Sequence, residues 1–295
     1  MDNLAPIVIF AYNRPNHLLK LLSSLQKNEI LDKTDVFFYI DKAKDSTAVS
    51  KNNEVIEIVN REWNFRNKSI VIRENNYGLK KNILNGVSEV INKYDNVIVL
   101  EEDLIVSKYY LEFMNKALDK YEDTEDVWHI TGFNYKTPYL SKKESYFTTH
   151  MNCWGWGTWK KNWQQINNNL SNKIEKNLIK EFNFGNLIQN NYRQILLNEE
   201  NLISTWAIFW YQTIFLNRGL CLMPAKSLVY NAGFDGSGIN TSKQNYKLSN
   251  LNSSKVTRFP NKVSETFIYK KFLKYYFWKL KIKDFFKYHL KKLVN

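Results

Sequence analysis

The first hundred residues alternate short apolar runs with stretches in which apolar residues recur every three or four positions. The runs read as buried strands, and they are Ile7 to Phe10, Val36 to Ile40, Ile70 to Ile72 and Val97 to Leu100. The stretches between them predict amphipathic helices. Because each helix must carry the chain back across the sheet, strict alternation implies parallel strands joined by right-handed crossovers. We therefore expect an α/β fold with a Rossmann-like, mostly parallel sheet flanked by helices.

Polar residues follow each predicted strand at the point where it ends. In open parallel sheets, ligands bind beyond the carboxyl ends of the strands, where loops and helix N-termini converge. We expect four segments to face one cleft. They are Ala11 to Pro15, Asp41 with Lys42, Asn75 to Leu79, and Glu101 to Asp103.

The acidic run Glu101-Glu102-Asp103 directly follows the fourth apolar run. Like charges raise one another's pKa, so adjacent carboxylates need a cation or basic neighbours to stay ionised. Carboxylate oxygens suit Mg²⁺ or Mn²⁺, which complete their shells with water and substrate phosphates. The acids could equally cap a helix that starts near Lys108, because negative charge stabilises a helix N-terminus. The run alone leaves a metal site and a helix cap open.

Composition narrows the class of protein and its compartment. An apolar content of 44%, with nine Trp and 18 Tyr, excludes a disordered chain and indicates that some rings line a binding surface. The two cysteines, Cys153 and Cys221, are far apart and lack metal-ligand spacing, which favours a reducing, cytoplasmic location. We expect neither a signal peptide nor a membrane-spanning helix, because no sufficiently long apolar stretch occurs.

The basic residues concentrate at the C-terminus of this chain of net charge +13. The last 29 residues, from Phe267, hold nine Lys against one Asp, interleaved with aromatic residues and Leu. This pattern predicts a basic amphipathic helix or helix pair, and such helices lie in the headgroup region of anionic membranes. A terminal helix packed on the domain with a solvated Lys face is the alternative. We expect peripheral attachment to the inner face of the cytoplasmic membrane.

Two segments carry a resemblance to a known family. Pro6 to Pro15, and the residues around the acidic run from Val97 to Phe113, resemble bacterial family-two-like glycosyltransferases of the GT-A fold. They also resemble animal N-acetylglucosaminyltransferase I, whose nucleotide-sugar metal motif is Glu-Asp-Asp. The resemblance spans most of residues 5 to 240. It implies a nucleotide-sugar-binding half over 1–125, an acceptor-binding half of the same GT-A domain over 126–260, and a basic tail over 261–295.

The resemblance also implies roles for residues at the cleft. Asp103 is expected to bind Mn²⁺ or Mg²⁺ directly, and Glu102, which replaces an Asp of the related motif, to contact the ribose or a metal-bound water. Glu101 is expected to be structural. The other implied nucleotide-sugar contacts are Ala11, Tyr12 and Arg14 beside the nucleoside, Asp41 at the base or ribose, and Asn76, Gly78 and Lys81 near the sugar-phosphate.

A third resembling segment is Cys153-Trp154-Gly155-Trp156-Gly157-Thr158-Trp159. Indole rings offer flat apolar faces to the C–H surfaces of sugars and one N–H donor each. The resemblance implies that Trp154, Trp156 and Trp206 contact the acceptor or the sugar, with Trp156 foremost. Packing of a given ring between the two halves is the alternative.

The sequence identifies the catalytic base less clearly than the other site residues. Related sequences often place an Asp before Ser-Trp-Ala, where this chain has Ser204, and a hydroxyl cannot act as the base unaided. The nearby carboxylates are Glu200, which we favour, and Asp235 in the loop from Gly233 to Gly238. A base must lie within hydrogen-bond reach of the acceptor hydroxyl, which sequence does not measure.

These features together predict an enzyme. We expect an inverting glycosyltransferase that moves a sugar from a UDP-linked donor to an oligosaccharide or lipid-linked glycan in surface polysaccharide, lipopolysaccharide or capsule synthesis. A nucleotidyltransferase is one alternative, although no Gly-rich, basic phosphate loop follows the first strand. A non-catalytic glycan or nucleic-acid binder at the membrane is another. We expect no nucleic-acid partner, because an acidic cleft repels phosphodiesters.

Overall fold

The computed structural model describes residues 4–135, 144–166, 174–184, 190–236 and 251–294. Its strands are β1 (Ile7–Ala11), β2 (Asp35–Ile40), β3 (Asn67–Ile72), β4 (Asn96–Glu101), β5 (Leu104–Val106), β6 (Val127–Thr131), β7 (Ser145–Thr148), β8 (Trp156–Trp159), β9 (Leu220–Pro224) and β10 (Val229–Asn231). Its helices are α1 (Pro15–Leu25), α2 (Ser46–Asn60), α3 (Gly78–Ile91), α4 (Tyr110–Lys120), α5 (Lys160–Trp163), α6 (Ile179–Phe182), α7 (Asn191–Glu199), α8 (Ala207–Leu216) and α9 (Phe267–Val294).

An eight-stranded sheet in the order β3-β2-β1-β4-β8-β6-β9-β7 forms the centre of the fold. Strands β3, β2, β1 and β4 are parallel neighbours, which confirms the predicted α/β fold with a mostly parallel sheet. From β1 the chain moves outward to β2 and β3 and then returns to the other side of β1 to form β4. The strand order therefore reverses between β1 and β4, and such a switch point opens a crevice for ligands.

The later strands extend the same sheet. Strand β8 pairs antiparallel with β4, with Trp156 opposite Val99, and β6, β9 and β7 follow it outward. The two halves that we expect on either side of residue 125 thus share one sheet. Their division into donor and acceptor halves stays a prediction.

The helices of the first half form where the apolar spacing predicts them. Helix α1 begins with Pro15, whose fixed φ suits a first helical position, and buries Leu18, Leu22 and Leu25 against the sheet. Helix α3 approaches β1 so closely that a Cβ on Gly86 would lie 2.7 Å from the ring of Phe10. This close packing on both faces of the sheet fixes the loops at its edge.

A short ribbon follows the acidic run. Strand β5 pairs antiparallel with β10, with Leu104 opposite Asn231, so the segment before Phe234 returns to the end of β4. Helix α4 begins only at Tyr110, beyond β5. The acidic run is therefore separated from that helix by a strand, which does not favour its interpretation as a helix cap.

The basic C-terminal segment forms one long helix, α9, rather than a helix pair. Its first turns belong to the folded body, because Tyr269 and Leu273 are fully buried. The hydroxyl of Tyr269 donates a hydrogen bond of 2.7 Å to Oδ1 of Asn134. Among the described residues, no helix combines the length and the apolar character that crossing a membrane requires.

Candidate active site

The acidic run lies at the switch point between β1 and β4. Glu101 is the last residue of β4 and pairs in register with Phe10 of β1. The backbone N–H of Glu102 donates to the carbonyl of Phe10 over 3.0 Å, so the chain stays beside β1 for one more residue. The end of β1 and the start of α1 therefore lie directly against the acids, as the strand-end rule predicts.

Arg14 pairs with two of the three acids. Its Nε donates to Glu102 Oε1 over 2.8 Å and its Nη2 to Asp103 Oδ2 over 3.0 Å. The three side chains are mostly buried. Burial opposes the charge of Arg14, but the two carboxylates outweigh this effect and hold its pKa above the usual range. Its remaining nitrogen, Nη1, is buried without a hydrogen-bond partner in the described part of the chain.

One arginine does not neutralise three carboxylates. Burial, followed by repulsion from Asp103 and Glu102, raises the pKa of Glu101 to about 8. Burial also raises the pKa of Glu102 to about 6, against the opposing effect of Arg14. A bound cation would reverse these shifts, because it stabilises the ionised carboxylates. The arrangement therefore has the electrostatic character of a cation site.

The backbone of Gly233 packs closely against the side chain of Asp103. A Cβ at this position would clash with Asp103 Oδ2 and would lie 3.0 Å from Asn231 Oδ1. The backbone N–H of Ala232 donates to the carbonyl of Asp103 over 2.8 Å, and that of Gly233 to Asn231 Oδ1 over 2.7 Å. Only a residue without a side chain leaves the carboxylate in its present position.

The residues fit a divalent ion that the protein holds through few ligands. The described residues contain no group of three or more His, Cys, Asp or Glu side chains arranged as a complete metal cage. Mg²⁺ and similar ions instead bind through one or two carboxylates plus substrate phosphates and water. Asp103 Oδ1 takes no part in the hydrogen bonds of the described residues, and it is the oxygen best suited to such an ion.

The loops after β2 and β3 are locked together by Asp41. Its carboxylate accepts hydrogen bonds from the backbone N–H of Tyr77 over 2.7 Å and of Gly78 over 2.8 Å. The structure thus places Asp41 beneath the start of α3, with little exposed surface. Direct contact with a base or ribose stays a prediction, and its side chain already serves a structural purpose.

The other predicted nucleotide-side residues line the same edge. Ala11 is buried at the end of β1, and the carbonyl of Tyr12 accepts from Asn52 Nδ2 over 2.6 Å. Asn76 Nδ2 donates to the carbonyl of Lys42 over 2.6 Å. The ammonium of exposed Lys81 lies 4.2 Å from the centroid of the Tyr77 ring. These contacts hold the backbone of this edge in place and put the positive charge of Lys81 beside Tyr77.

The three predicted tryptophan contacts divide into two groups. Trp156 is fully buried and Trp206 exposes 2% of its surface, and their rings stack with centroids 5.2 Å apart. Both lie in a hydrophobic core cluster with Val99 and Trp163, so neither can lie against a sugar in this conformation. Trp154 is partly exposed and packs edge-on against Phe234, one residue beyond Gly233. Trp156 and Trp206 thus pack inside the protein, which was the alternative to a sugar contact. Of the three tryptophans, Trp154 lies beside the candidate site.

The two candidate bases lie in different places. Asp235 is in the turn after β10, and its Oδ2 lies 3.2 Å from Nε2 of His17, one turn along α1 from Arg14. Glu200 is exposed at the end of α7, which packs on α6 and α8. The turn that carries Asp235 also carries Gly233, which packs closely against Asp103. Which of the two carboxylates acts as the base stays a prediction.

Two residues of the site were missed from the sequence. His17 follows Arg14 by three positions, and this spacing puts both side chains on one face of a helix. Gly233 was recognised only as part of a Gly-rich loop, of which residues 237 and 238 lie outside the described ranges. Its close contact with Asp103 depends on pairing of β5 with β10, which sequence spacing does not reveal.

Comparison with known proteins supports a family assignment. Residues 7–184 match the family model described as glycosyl transferase family 2. No curated protein matches. Similar solved structures include TarS 1-349 of S. aureus, at 15% identity and a TM-score of 0.47, over 79% of this chain and 62% of that chain. The same protein in complex with UDP-GlcNAc is similar at 15% identity and a TM-score of 0.41, over 76% and 58%.

A further similar structure is the mannosyltransferase PcManGT of Pyrobaculum calidifontis in complex with GDP-Man and Mn²⁺, at 7% identity and a TM-score of 0.40, over 73% of this chain and 70% of that chain. The chain spans less than two thirds of the length of the TarS chains. A link to N-acetylglucosaminyltransferase I stays a prediction from the acidic motif. Because the matched residues cover more than half of the chain and include Arg14, the acidic run and Trp154, the chain belongs to glycosyl transferase family 2.

Proposed function

We propose that this protein is a metal-dependent glycosyltransferase that moves a sugar from a UDP-linked donor to a saccharide acceptor with inversion. The observation that carries the proposal is the carboxylate of Asp103 at the β1–β4 switch point, within the residues that match the family. Parallel sheets place their ligands at this point, and the uncompensated acids there suit a cation. The proposed cofactor is Mn²⁺ or Mg²⁺.

The donor would lie with its diphosphate near Asp103 and its nucleoside over the end of β1. A bound divalent ion supplies charge neutralisation for the departing nucleoside diphosphate. Arg14 holds the carboxylates of Glu102 and Asp103 in orientation, and its Nη1 is a buried donor without a hydrogen-bond partner in the described residues. Asp41 positions the Tyr77–Gly78 turn, and so sets where Asn76 and Lys81 meet the sugar-phosphate.

The proposed catalytic base is Asp235. Its position in the turn that also carries Gly233 brings a carboxylate to the acceptor side of Asp103, and His17 orients it. Trp154 lies between this turn and the core and would offer its exposed edge to the sugar. A base of this kind contributes roughly 10²- to 10⁴-fold to the rate of such a step.

The proposed acceptor is an oligosaccharide or lipid-linked glycan used in surface polysaccharide, lipopolysaccharide or capsule synthesis at the cytoplasmic face of the membrane. The support for it is the Lys-rich, aromatic sequence from Phe267 onward.

The metal and donor assignment is tested by thermal shift with UDP, with and without Mn²⁺. A ligand that binds only the native state raises the melting temperature. We expect Mn²⁺ and UDP together to stabilise the wild-type protein, and Asp103→Asn to lose most of that shift. Asp119→Asn, at an exposed position on α4, is the control. An equal response of Asp103→Asn and wild type would rule out the metal assignment.

The base assignment is tested by transfer of radiolabelled sugar from UDP-sugars to a lipid-linked oligosaccharide fraction. We expect Asp235→Asn to lower transfer by roughly 100-fold or more while it keeps the UDP-Mn²⁺ thermal shift. Glu200→Gln is the matched variant and should retain transfer. Loss of transfer in Glu200→Gln alone would return the role to Glu200.

A further inference from the structure

Helix α9 has a side that belongs to the folded body. Tyr269 and Leu273 are fully buried, and the rings of Tyr276 and Phe277 contact Tyr135 at centroid distances of 5.2 and 5.1 Å. The hydrogen bond from Tyr269 to Asn134 fixes the first turn. The helix is thus held in one orientation with respect to the sheet.

The opposite side of α9 is also apolar, but it is exposed. Phe267, Ile268, Tyr275 and Trp278 expose 63%, 67%, 56% and 46% of their surfaces. At about 100° per residue, these four positions fall within one arc of roughly 100° on the helix. We call them the α9 exposed face. Of the ten large hydrophobic side chains that are exposed in the described ranges, four belong to it.

Lysines accompany the α9 exposed face. Exposed Lys271 lies on the same arc and exposed Lys279 lies at its border, about 20° beyond Ile268. The Lys271 ammonium lies 4.6 Å from the centroid of the Phe267 ring. The sequence from Phe267 to the end carries nine Lys and one Asp. Two copies of so basic a helix repel each other, which disfavours a homodimer through this face. Four large apolar side chains exposed together on one side of a helix are unfavourable in water, and such a patch indicates a surface that contacts a protein or a membrane.

We propose that the α9 exposed face inserts into the headgroup region of an anionic lipid bilayer. Rings and Ile268 would enter the boundary of the acyl chains, and the lysine ammonium groups would meet lipid phosphates. This inference rests on the proposed function, for which it names the partner surface that brings the enzyme to a lipid-linked acceptor.

A row of aromatic rings connects this helix to the active site. Phe234 contacts Trp154, Trp154 contacts Phe133, and Phe133 contacts Tyr135, with centroids 5.4, 4.5 and 5.0 Å apart. Tyr135 in turn contacts Tyr276 and Phe277 of α9. Because the helix is fixed to the acceptor side of the site through these rings, docking at α9 would hold that side at a constant distance from the bilayer.

The test is sedimentation of the 295-residue chain with phosphatidylcholine vesicles, with and without phosphatidylglycerol. We expect binding to the anionic vesicles only, and weaker binding as salt increases. The double variant Ile268→Ser/Trp278→Ser should bind at least about ten-fold more weakly, because the inserted apolar area is lost. Leu202→Ser is the matched control, since Leu202 is also 67% exposed but lies outside α9.

Charge is tested separately. Lys271→Glu/Lys279→Glu should also weaken binding to anionic vesicles by at least about ten-fold, whereas Lys51→Glu/Lys93→Glu, exposed elsewhere, should have a smaller effect. Unchanged melting temperatures show that the variants are folded. These positions lie outside the donor site, so the UDP-Mn²⁺ thermal shift should stay the same.

Three results would overturn the inference. The first is equal vesicle binding by the Ile268→Ser/Trp278→Ser variant and the wild type. The second is a wild-type dimer in sedimentation equilibrium that becomes a monomer in this variant while vesicle binding stays the same. The third is tighter binding to an oligonucleotide than to anionic vesicles at the same salt. Each of them leaves the donor thermal shift intact. Loss of that shift in the wild type would instead reject the proposed function.

Discussion

At the scale of single residues, the site depends on the ion pairs that Arg14 forms with two carboxylates. The guanidinium pairs with Glu102 and Asp103, while Glu101, which is only partly buried, forms no ion pair within the described residues. A buried pair of this kind is costly to break, because removal of one partner leaves the other charge uncompensated. Arg14 thus holds the carboxylates of Glu102 and Asp103 in place, and in the proposed function the remaining negative charge would attract the metal ion.

Gly233 sets the space around Asp103. In Gly233→Ala, the added Cβ must displace the Asp103 carboxylate or the turn itself, which we expect to cost about 1 to 3 kcal/mol of the free energy of unfolding. The melting temperature should fall, and the UDP-Mn²⁺ thermal shift should weaken as well.

Gly219→Ala is the control for that experiment. Gly219 directly precedes β9, and a Cβ there would lie 2.5 Å from the ring of Trp128. This variant should also lose about 1 to 3 kcal/mol of the free energy of unfolding but keep a normal thermal shift. If both variants lost ligand binding equally, the close contact at Asp103 would have no special role.

At the scale of elements, Asp35 joins β2 to its neighbours at the end opposite to the site. Its carboxylate accepts hydrogen bonds from Arg66 Nε over 2.7 Å, Asn67 Nδ2 over 2.8 Å and the Tyr94 hydroxyl over 3.0 Å. The hydrogen bond from Arg66, against the effect of burial, lowers the pKa of Asp35 from 3.8 to about 2. Strands β2 and β3 and the turn after α3 are thereby held together.

The depressed pKa predicts a pH dependence of stability. A carboxyl whose folded pKa is lowered stabilises the fold above its ordinary pKa of 3.8 and loses that contribution as pH falls through about 2. Asp35→Asn should therefore cost about 1 to 2 kcal/mol at neutral pH, after allowance for solvent around Arg66. In urea titrations, the difference from wild type should shrink between about pH 4 and pH 2. Exposed Asp32→Asn should show no such trend, and a constant difference for Asp35→Asn would contradict the ion-pair explanation.

At the scale of the whole molecule, the buried side of α9 stabilises the fold, and its exposed side forms an apolar surface. Its first turns complete a core cluster with Tyr146 and Met223 of the outer strands β7 and β9. The exposed side begins on the same turns, so the folded body determines which residues face outward. Removal of residues 267 to 295 would for this reason change stability together with any surface property.

Two truncations separate these roles. A chain that ends at Thr266 loses the buried Tyr269 and Leu273 and the hydrogen bond to Asn134. We expect its unfolding free energy in urea to fall by at least about 3 kcal/mol, because each buried side chain contributes about 1.5 to 3 kcal/mol. A chain that ends at Lys279 keeps these contacts and should unfold near the wild-type denaturant concentration. Similar midpoints for both truncations would show that α9 adds nothing to the core.

The sequence alone determined the sheet and the edge at which the site lies. Apolar runs of four or five residues and helical spacing between them leave few alternatives to parallel strands, and ligand-binding loops at their carboxyl ends follow from that topology. Arg14 and Asp103 could be placed at one cleft because both follow strands that this rule brings together. Tertiary structure decided what those rules do not cover.

Side chains far apart in the sequence meet only when strands from the second half join the sheet. Trp156 and Trp206 resemble binding residues in sequence, yet they pack against each other in the core, because burial depends on which elements cover them. The turn that carries Gly233 and Asp235 lies beside Asp103 because β10 pairs with β5 next to the end of β4. Local patterns fix the elements, whereas long-range pairing decides which of their residues become the site.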